Sequence, residues 1–162
     1  MTFDAFIKID GISGDSLDDQ HKGWIEVIGY SFGAKQSVSS TASSAGGASA
    51  GGAEVSDFSF SKRMDSATSK LFQASCTGLH LKEVTHSLSR AGGEKLRYFE
   101  IKLEEVLISH FTQTGESGEP LENVRLNFGR IKTTYTHQNR SNGLAGGNIT
   151  GGWDRIARTV YA

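Results

Sequence analysis

The stretch Leu121–Tyr135, LENVRLNFGRIKTTY, decides the fold because its strand-forming residues fall into two phases. Val124, Leu126 and Phe128 alternate with their neighbours, and so do Ile131, Thr133 and Tyr135, but the second set is out of step with the first. Side chains along a strand point to opposite faces in turn, so a regular strand would turn one set away from the core. A β-bulge at Gly129 supplies the extra residue that brings both sets to one face. Bulges belong to strongly curved sheets and to barrels.

Upstream, LKEVTHSLSR (81–90) and KLRYFEIKLEEVLISHF (95–111) read as strands flanking AGGE, where Gly92-Gly93 can take the positive φ values of a tight hairpin. The loop TGESGEP (114–120), which holds the single proline, Pro120, separates them from the deciding strand. Downstream, NRSNGLAGGNITGG (139–152) reads as a loop and WDRIARTVYA (153–162) as a terminal strand.

The first half has the same character. Phe3–Asp10 is a strand ending at the turn DGISGDS. GWIEVIGYSFG (23–33) alternates, with Trp24, Glu26, Ile28, Tyr30 and Phe32 on one side and Ile25, Val27, Gly29 and Ser31 on the other. EVSDFSFSKR (54–63) places Phe58, Phe60 and Lys62 opposite Asp57, Ser59 and Ser61. The spacing predicts one short helix over about 65–77: Asp65 or Ser66 as cap, Ala67, Leu71 and Ser75 on one face, and Gly78 as a left-handed stop. Many short strands around one helix predict a mainly β fold, a β-barrel of two packed antiparallel sheets with that helix at its flank.

The chain has 162 residues, which suits one domain over 1–162 that buries roughly two-thirds of its unfolded surface. Seventeen Lys and Arg against eighteen Asp and Glu leave a net charge of −1 without a basic cluster, which argues against nucleic acid as a partner. The start, MTFDAFIKIDGISGDS, lacks the regions of a cleaved signal peptide, and no apolar window is long enough to enter a membrane. Synthesis in the cytoplasm is expected. A single cysteine, Cys76, allows no internal disulfide.

One segment stands apart: KQSVSSTASSAGGASAGGAEV (35–55), an extended Ser/Ala/Gly loop centred on about 35–54. As a linker it would leave a preceding piece of about 35 residues to fold alone, below the roughly 40 at which staples become necessary. Long loops inside a compact domain are functional or disordered, and both readings stand. Its small side chains and free amides suit an arm or short hairpin resting against a neighbouring surface, not a grip on a small ligand.

Catalytic, cofactor and metal sites are not expected. GGASAGGA lacks the Lys-Ser/Thr of a phosphate loop, and neither GISGDS nor GESGEP has the spacing of a nucleophile elbow. Cys76 with His80 or His110 raises a thiol hydrolase, against the plainer reading of a small buried helix residue. His21, His80, His86, His110 and His137 show no zinc-ligand spacing. Glu104 and Glu105 are expected to point to opposite faces of a strand. Trp24 and Trp153 read as core or subunit-contact anchors.

Taken in order, FIKIDGISGDS, WIEVIGYSFG, the Gly/Ser insertion, FSFSKRMDSATSKLF, AGGEKLRYFEIKLEEVLISHF, GESGEPLENVRLNFGRIKTTY and GGWDRIA resemble the Hcp family over nearly all of residues 3–160. These are the haemolysin-coregulated proteins, tube subunits of the bacterial type VI secretion system. The resemblance implies a β-barrel that closes into a homohexameric ring, with rings stacked into a tube that carries small effectors in its lumen. It implies the tip protein, the sheath and effectors as partners, secretion without a cleaved signal peptide, and no enzymatic role. It places the long loop against the adjacent subunit or ring, making Gln36, Ser39, Ser40, Thr41, Ser44, Gly46, Gly47, Gly51 and Gly52, with Trp153, the interface candidates. Ser31 becomes the candidate for meeting cargo, with a core-adjacent serine as the other reading. This loop departs from the family in its richness in Ser and Ala. The alternatives are a free-standing β-sandwich that binds carbohydrate or peptide, which a monomeric native mass would favour, and the thiol hydrolase, which loss of activity in Cys76→Ala would favour.

Overall fold

The structure, a computed structural model, describes residues 3–38, 50–90, 96–138 and 145–161. Its elements are β1 (Phe3–Ile9), β2 (Ile25–Val27), β3 (Gly29–Ser31), β4 (Ala34–Val38), β5 (Ala50–Val55), β6 (Phe58–Arg63), α1 (Thr68–Thr77), β7 (Leu81–Arg90), β8 (Arg97–Thr114), β9 (Leu121–Gln138), β10 (Ala145–Asp154) and β11 (Thr159–Val160). The fold is mainly β with the one expected helix. A nine-stranded antiparallel sheet runs β11-β10-β9-β8-β7-β1-β2, with β6 joining β9 and β3 joining β6, and β4–β5 form a separate two-stranded sheet.

The large sheet folds over because β9 is shared: Leu121–Leu126 pair with β6, and Arg130–Gln138 pair with β10. The stretch 23–33, expected as one strand, is two. β2 pairs with β1, the backbone turns at Ile28, and β3 pairs with β6. The Ile28 amide donates to Ser61 O at 2.8 Å as the chain crosses. The fold therefore closes through the chain itself at Ile28, and the ladder among the described residues is a folded sheet rather than a closed barrel. The core lies between the layers, with Ile7, Ile25, Phe58, Leu71, Ile101, Leu103, Val124 and Leu126 buried.

The phase change in β9 is present, but the two-against-one bulge expected at Gly129 is not. Partners stay in step on either side of it, Glu104 opposite Arg130 and Val106 opposite Phe128, because β8 carries an extra residue of its own at Glu105, whose φ is 54°. The Glu105 side chain lies over Gly129, so closely that a Cβ there would sit 2.7 Å from Glu105 Oε2. The two strands bend together. A true bulge does occur further along, where the register slips between Ile108 and His110 of β8.

The helix starts later than expected, at Thr68, with Ala67 at the cap position and no side-chain cap. The two expected caps bond elsewhere: Asp65 accepts the Ala67 amide at 2.9 Å and pairs with Lys62, and Ser66 donates its hydroxyl and amide to Asp15. Ala67, Leu71 and Ala74 form the buried face, with Ser75 half-buried. Gly78 ends the helix at φ 67°, its amide donating to Ala74 O at 3.0 Å. Residues 145–152, read as loop, belong to β10, and the expected terminal strand shrinks to β11. β7 and β8 pair as expected, although Gly92-Gly93 lie outside the described residues. No helix among the described residues is long and apolar enough to cross a membrane.

Candidate functional site

The Ser/Ala/Gly segment is bounded by a hairpin, not by loop. β4 and β5 pair Ala34 with Val55, Lys35 with Glu54 and Gln36 with Ala53, and then the register slips before Val38 meets Ala50. Gly52 sits at the slip with φ 131°, a conformation that side-chain-bearing residues rarely adopt. Neither strand pairs with the large sheet, and Lys35, Gln36, Ser37, Gly52, Ala53 and Glu54 are all exposed. A lone two-stranded ribbon is marginal in water. At its root Ala34 and Val55 line an apolar hollow and Val55 packs against the core, but beyond them Lys35, Gln36, Ser37, Gly52, Ala53 and Glu54 are exposed, so a stable position for that part depends on a surface beside it.

The foot of the arm is well held. Ser56 donates its amide and its hydroxyl to Gly33 O at 2.9 and 3.0 Å. Asp57 follows and accepts hydrogen bonds from Ser109 at 2.8 Å and Asn127 at 3.0 Å, with Arg155 at 3.7 Å. Arg155 in turn lies over the Phe128 ring, and its amide donates to Gly129 O at 2.8 Å. Beside the foot is a cleft of about 660 Å³ that brings together Gln36, Gly52 and Trp153 with Arg155 and Arg158. Trp153 also walls an apolar hollow with Phe32, Ala34, Val55 and Ile131 and packs against the core. Three interface candidates from the sequence thus meet at one place. Gly51 lies on β5, and Ser39, Ser40, Thr41, Ser44, Gly46 and Gly47 lie outside the described residues.

Ser31 is exposed on β3, its Oγ 2.8 Å from that of Ser59, so the core-adjacent reading does not hold. Tyr30 turns inward, and Phe32 is partly exposed. The ladder has open margins: among the described residues β2 pairs only with β1, and β11 only with β10. Such rows of unpaired backbone groups invite another chain.

Several other readings need correction. Cys76 is exposed, not packed inside. Glu104 and Glu105 do not diverge, because the positive φ of Glu105 interrupts alternation; both reach Arg130, at 2.8 and 3.9 Å. Tyr161 donates its hydroxyl to Glu104 at 2.5 Å, which holds that carboxyl below its usual range. Among the described residues no group of three His, Cys, Asp or Glu is placed to hold a metal.

Sequence reasoning missed a buried triad. Asp18 Oδ2 lies 2.8 Å from His21 Nδ1, and His21 Nε2 lies 3.2 Å from Ser87 Oγ, in the order of an acid, a base and a nucleophile. Yet Ser87 is buried in mid-strand, and His21 is stacked on Phe6 and edged by Trp24, so the trio's geometry ties the loop 10–24 to the sheet. Ser87 should remain unlabelled by a fluorophosphonate probe in the folded protein. His21→Ala should cost about 2–4 kcal/mol in chemical denaturation, from the lost stack and the stranded partners.

Two further groups lie inside. Lys62 and Glu122, cross-strand partners on β6 and β9, form a wholly buried ion pair at 2.5 Å. His86 on β7 is buried, and among the described residues neither ring nitrogen has a hydrogen-bond partner. Both were signalled by alternation: Lys62 shares a face with Phe58 and Phe60, and His86 shares one with Val84 and Leu88.

Residues 6–135 match the family described as type VI secretion system effector, Hcp. The chain is 37% identical to protein hcp1 of Pseudomonas aeruginosa over the full length of both. Among solved structures, one described as a type six secretion system protein superposes with a TM-score of 0.91 at 31% identity, covering 99% of this chain and 100% of the other. Hcp1 from Salmonella typhimurium does so with a TM-score of 0.82 at 28% identity, again covering 99% and 100%.

Proposed function

The chain belongs to the Hcp family of type VI secretion system proteins, and on that premise we propose that it is a structural tube subunit, one domain over 1–162, that assembles into homohexameric rings. Rings stack, and the stacked tube carries small effectors in its lumen, where exposed Ser31 meets cargo. The observation that carries this reading is the arm: a two-stranded ribbon anchored at Gly33, Ser56 and Asp57 that pairs with nothing in its own large sheet. A projecting ribbon of small residues gains stability only against another surface, and a second copy supplies one at every position of a ring or stack. The open margins at β2 and β11 support side-by-side association in the same way.

In this reading Gln36, Ser39, Ser40, Thr41, Ser44, Gly46, Gly47, Gly51 and Gly52 engage the adjacent subunit or ring, and Trp153 braces the root of the arm. The tip protein, the sheath and the effectors are the heterologous partners. The protein is made in the bacterial cytoplasm and leaves through the type VI apparatus without a cleaved signal peptide. With net charge −1, identical rings approach without strong mutual repulsion.

Removing Ser39 to Gly52 is expected to leave hexameric rings by native mass measurement while abolishing tubes in electron micrographs and delivery from cells. Normal tubes from the deletion would overturn the role of the arm, and a wild-type chain that stays monomeric at high concentration would overturn the ring.

A further inference from the structure

His86 occupies a position that a charged imidazole cannot tolerate. It is flanked on its ladder by Ile7 of β1 and Ile101 of β8. Across the core its ring lies 4.4 Å from Tyr30 of β3 and 5.3 Å from Phe58 of β6, measured between centroids. Tyr30 is the titratable group in ring contact with it, and burial, reinforced by Tyr98 of β8, raises that phenol's pKa, so it stays neutral; Lys62, further along the inward face of β6, is held by Glu122. Among the described residues neither nitrogen of the ring has a hydrogen-bond partner, unlike Lys62, which has Glu122. Burial alone lowers the His86 pKa to about 4. A proton therefore enters only if the ring reaches water or an acceptor.

The walls around His86 differ in strength. β1 meets β7 over Phe3–Ile9, and β8 meets β7 along Arg97–Val106. By contrast β3 is three residues long and holds to β6 through three residue pairs. It also follows the break at Ile28, and its inward ring, Tyr30, is only partly buried. Local opening follows the weakest ladder.

We propose that His86 is a proton-operated latch on this corner: when its imidazole takes up a proton, Tyr30 leaves the core and β3 parts from β6, while β1, β7, β8 and β9 stay paired. The opened corner presents Tyr30 and Phe32 beside Ser31 and so changes the chemistry of that surface from polar to aromatic. The direction follows from linkage. The ring binds protons more weakly closed, about 4, than open, near the ordinary 6.5. The closed corner is thus fully favoured above pH 6.5, and opening is promoted as pH falls from there towards 4.

Hydrogen exchange with mass spectrometry on the full-length protein tests this. Between pH 7.5 and pH 5, after correction for intrinsic chemistry, protection of peptides covering 28–32 should fall by about 30-fold, with β7 and β8 unchanged and 58–61 losing protection only at the amides that face β3, since β6 stays paired with β9. His86→Phe should remove the response, with His86→Leu as the second variant if the first does not fold. An equal response in the variants, or β7 and β8 losing protection in step with β3, would overturn the latch. So would a folded-state titration of the His86 ring by NMR at an ordinary histidine value.

Discussion

Replacing Glu122 with alanine is expected to lower the unfolding free energy by about 3–5 kcal/mol, read from urea or thermal denaturation at fixed protein concentration. Lys62 and Glu122 are both wholly buried, and the carboxylate is bonded on both oxygens: Oε1 takes Lys62 at 2.5 Å and Thr68 at 3.0 Å, and Oε2 takes Gln113 at 2.6 Å. Its removal strands an ammonium in the core and leaves the Gln113 amide without its acceptor. Asp65, at 2.8 Å from Lys62, retains part of the compensation and places the loss towards the lower end of that range. The double change Lys62→Met with Glu122→Leu should recover most of the loss, since a well-packed apolar pair avoids the desolvation cost altogether. A single-variant loss under about 1 kcal/mol would mean that the ammonium finds water, so that the pair is not sealed as drawn.

Phe58→Ala is expected to cost a similar amount, about 3–5 kcal/mol at pH 7. Phe58 is fully buried at the centre of an aromatic group formed with Tyr30, Phe32, Phe60 and His86. Its removal leaves a cavity beside the imidazole, whose two nitrogens have no partner among the described residues. Water entering it gives the imidazole a partner and moves its pKa back towards 6.5. In the wild type His86 contributes a loss of roughly 3 kcal/mol between pH 6.5 and pH 4, because the unfolded chain takes up the proton that the folded one refuses. The variant loses less over the same range, so the gap between the two should narrow at pH 5. A gap that widens on acidification would mean that the cavity stays dry.

Much of this was legible in the chain. Alternation located β7, β8 and β9 but not β10, whose glycines read as a loop, and Gly78 marked the end of α1 because only a residue tolerant of a left-handed backbone closes a helix that way. The arm was recognisable as the misfit in a β pattern, and Gln36, Gly52 and Trp153 do converge. Other features were written but under-read. Lys62 in phase with Phe58 and Phe60 meant a buried ammonium, and the spacing of Ile108 and Phe111 meant the bulge at Ser109. What sequence could not supply were relations between distant strands. Nothing local says that Glu105 matches the extra residue at Gly129, that Ile28 is where the chain changes partner, or that Ser87 lies beneath His21. The helix start moved for the same reason: Ser66 was a good cap locally but bonds Asp15, and Asp65 divides one oxygen between Lys62 and the Ala67 amide.

Gly129 and Glu105 form a matched set with a bearing on how relatives of this chain can change length. Delete either alone, and the survivor becomes an unmatched extra residue that shifts the alignment of one long strand against the other. Delete both, and Leu103, Val106, Phe128 and Ile131 keep their inward aim while the hairpin straightens. Descendants should therefore gain or lose these positions as a couple, and a lineage carrying one without the other should show a compensating indel nearby.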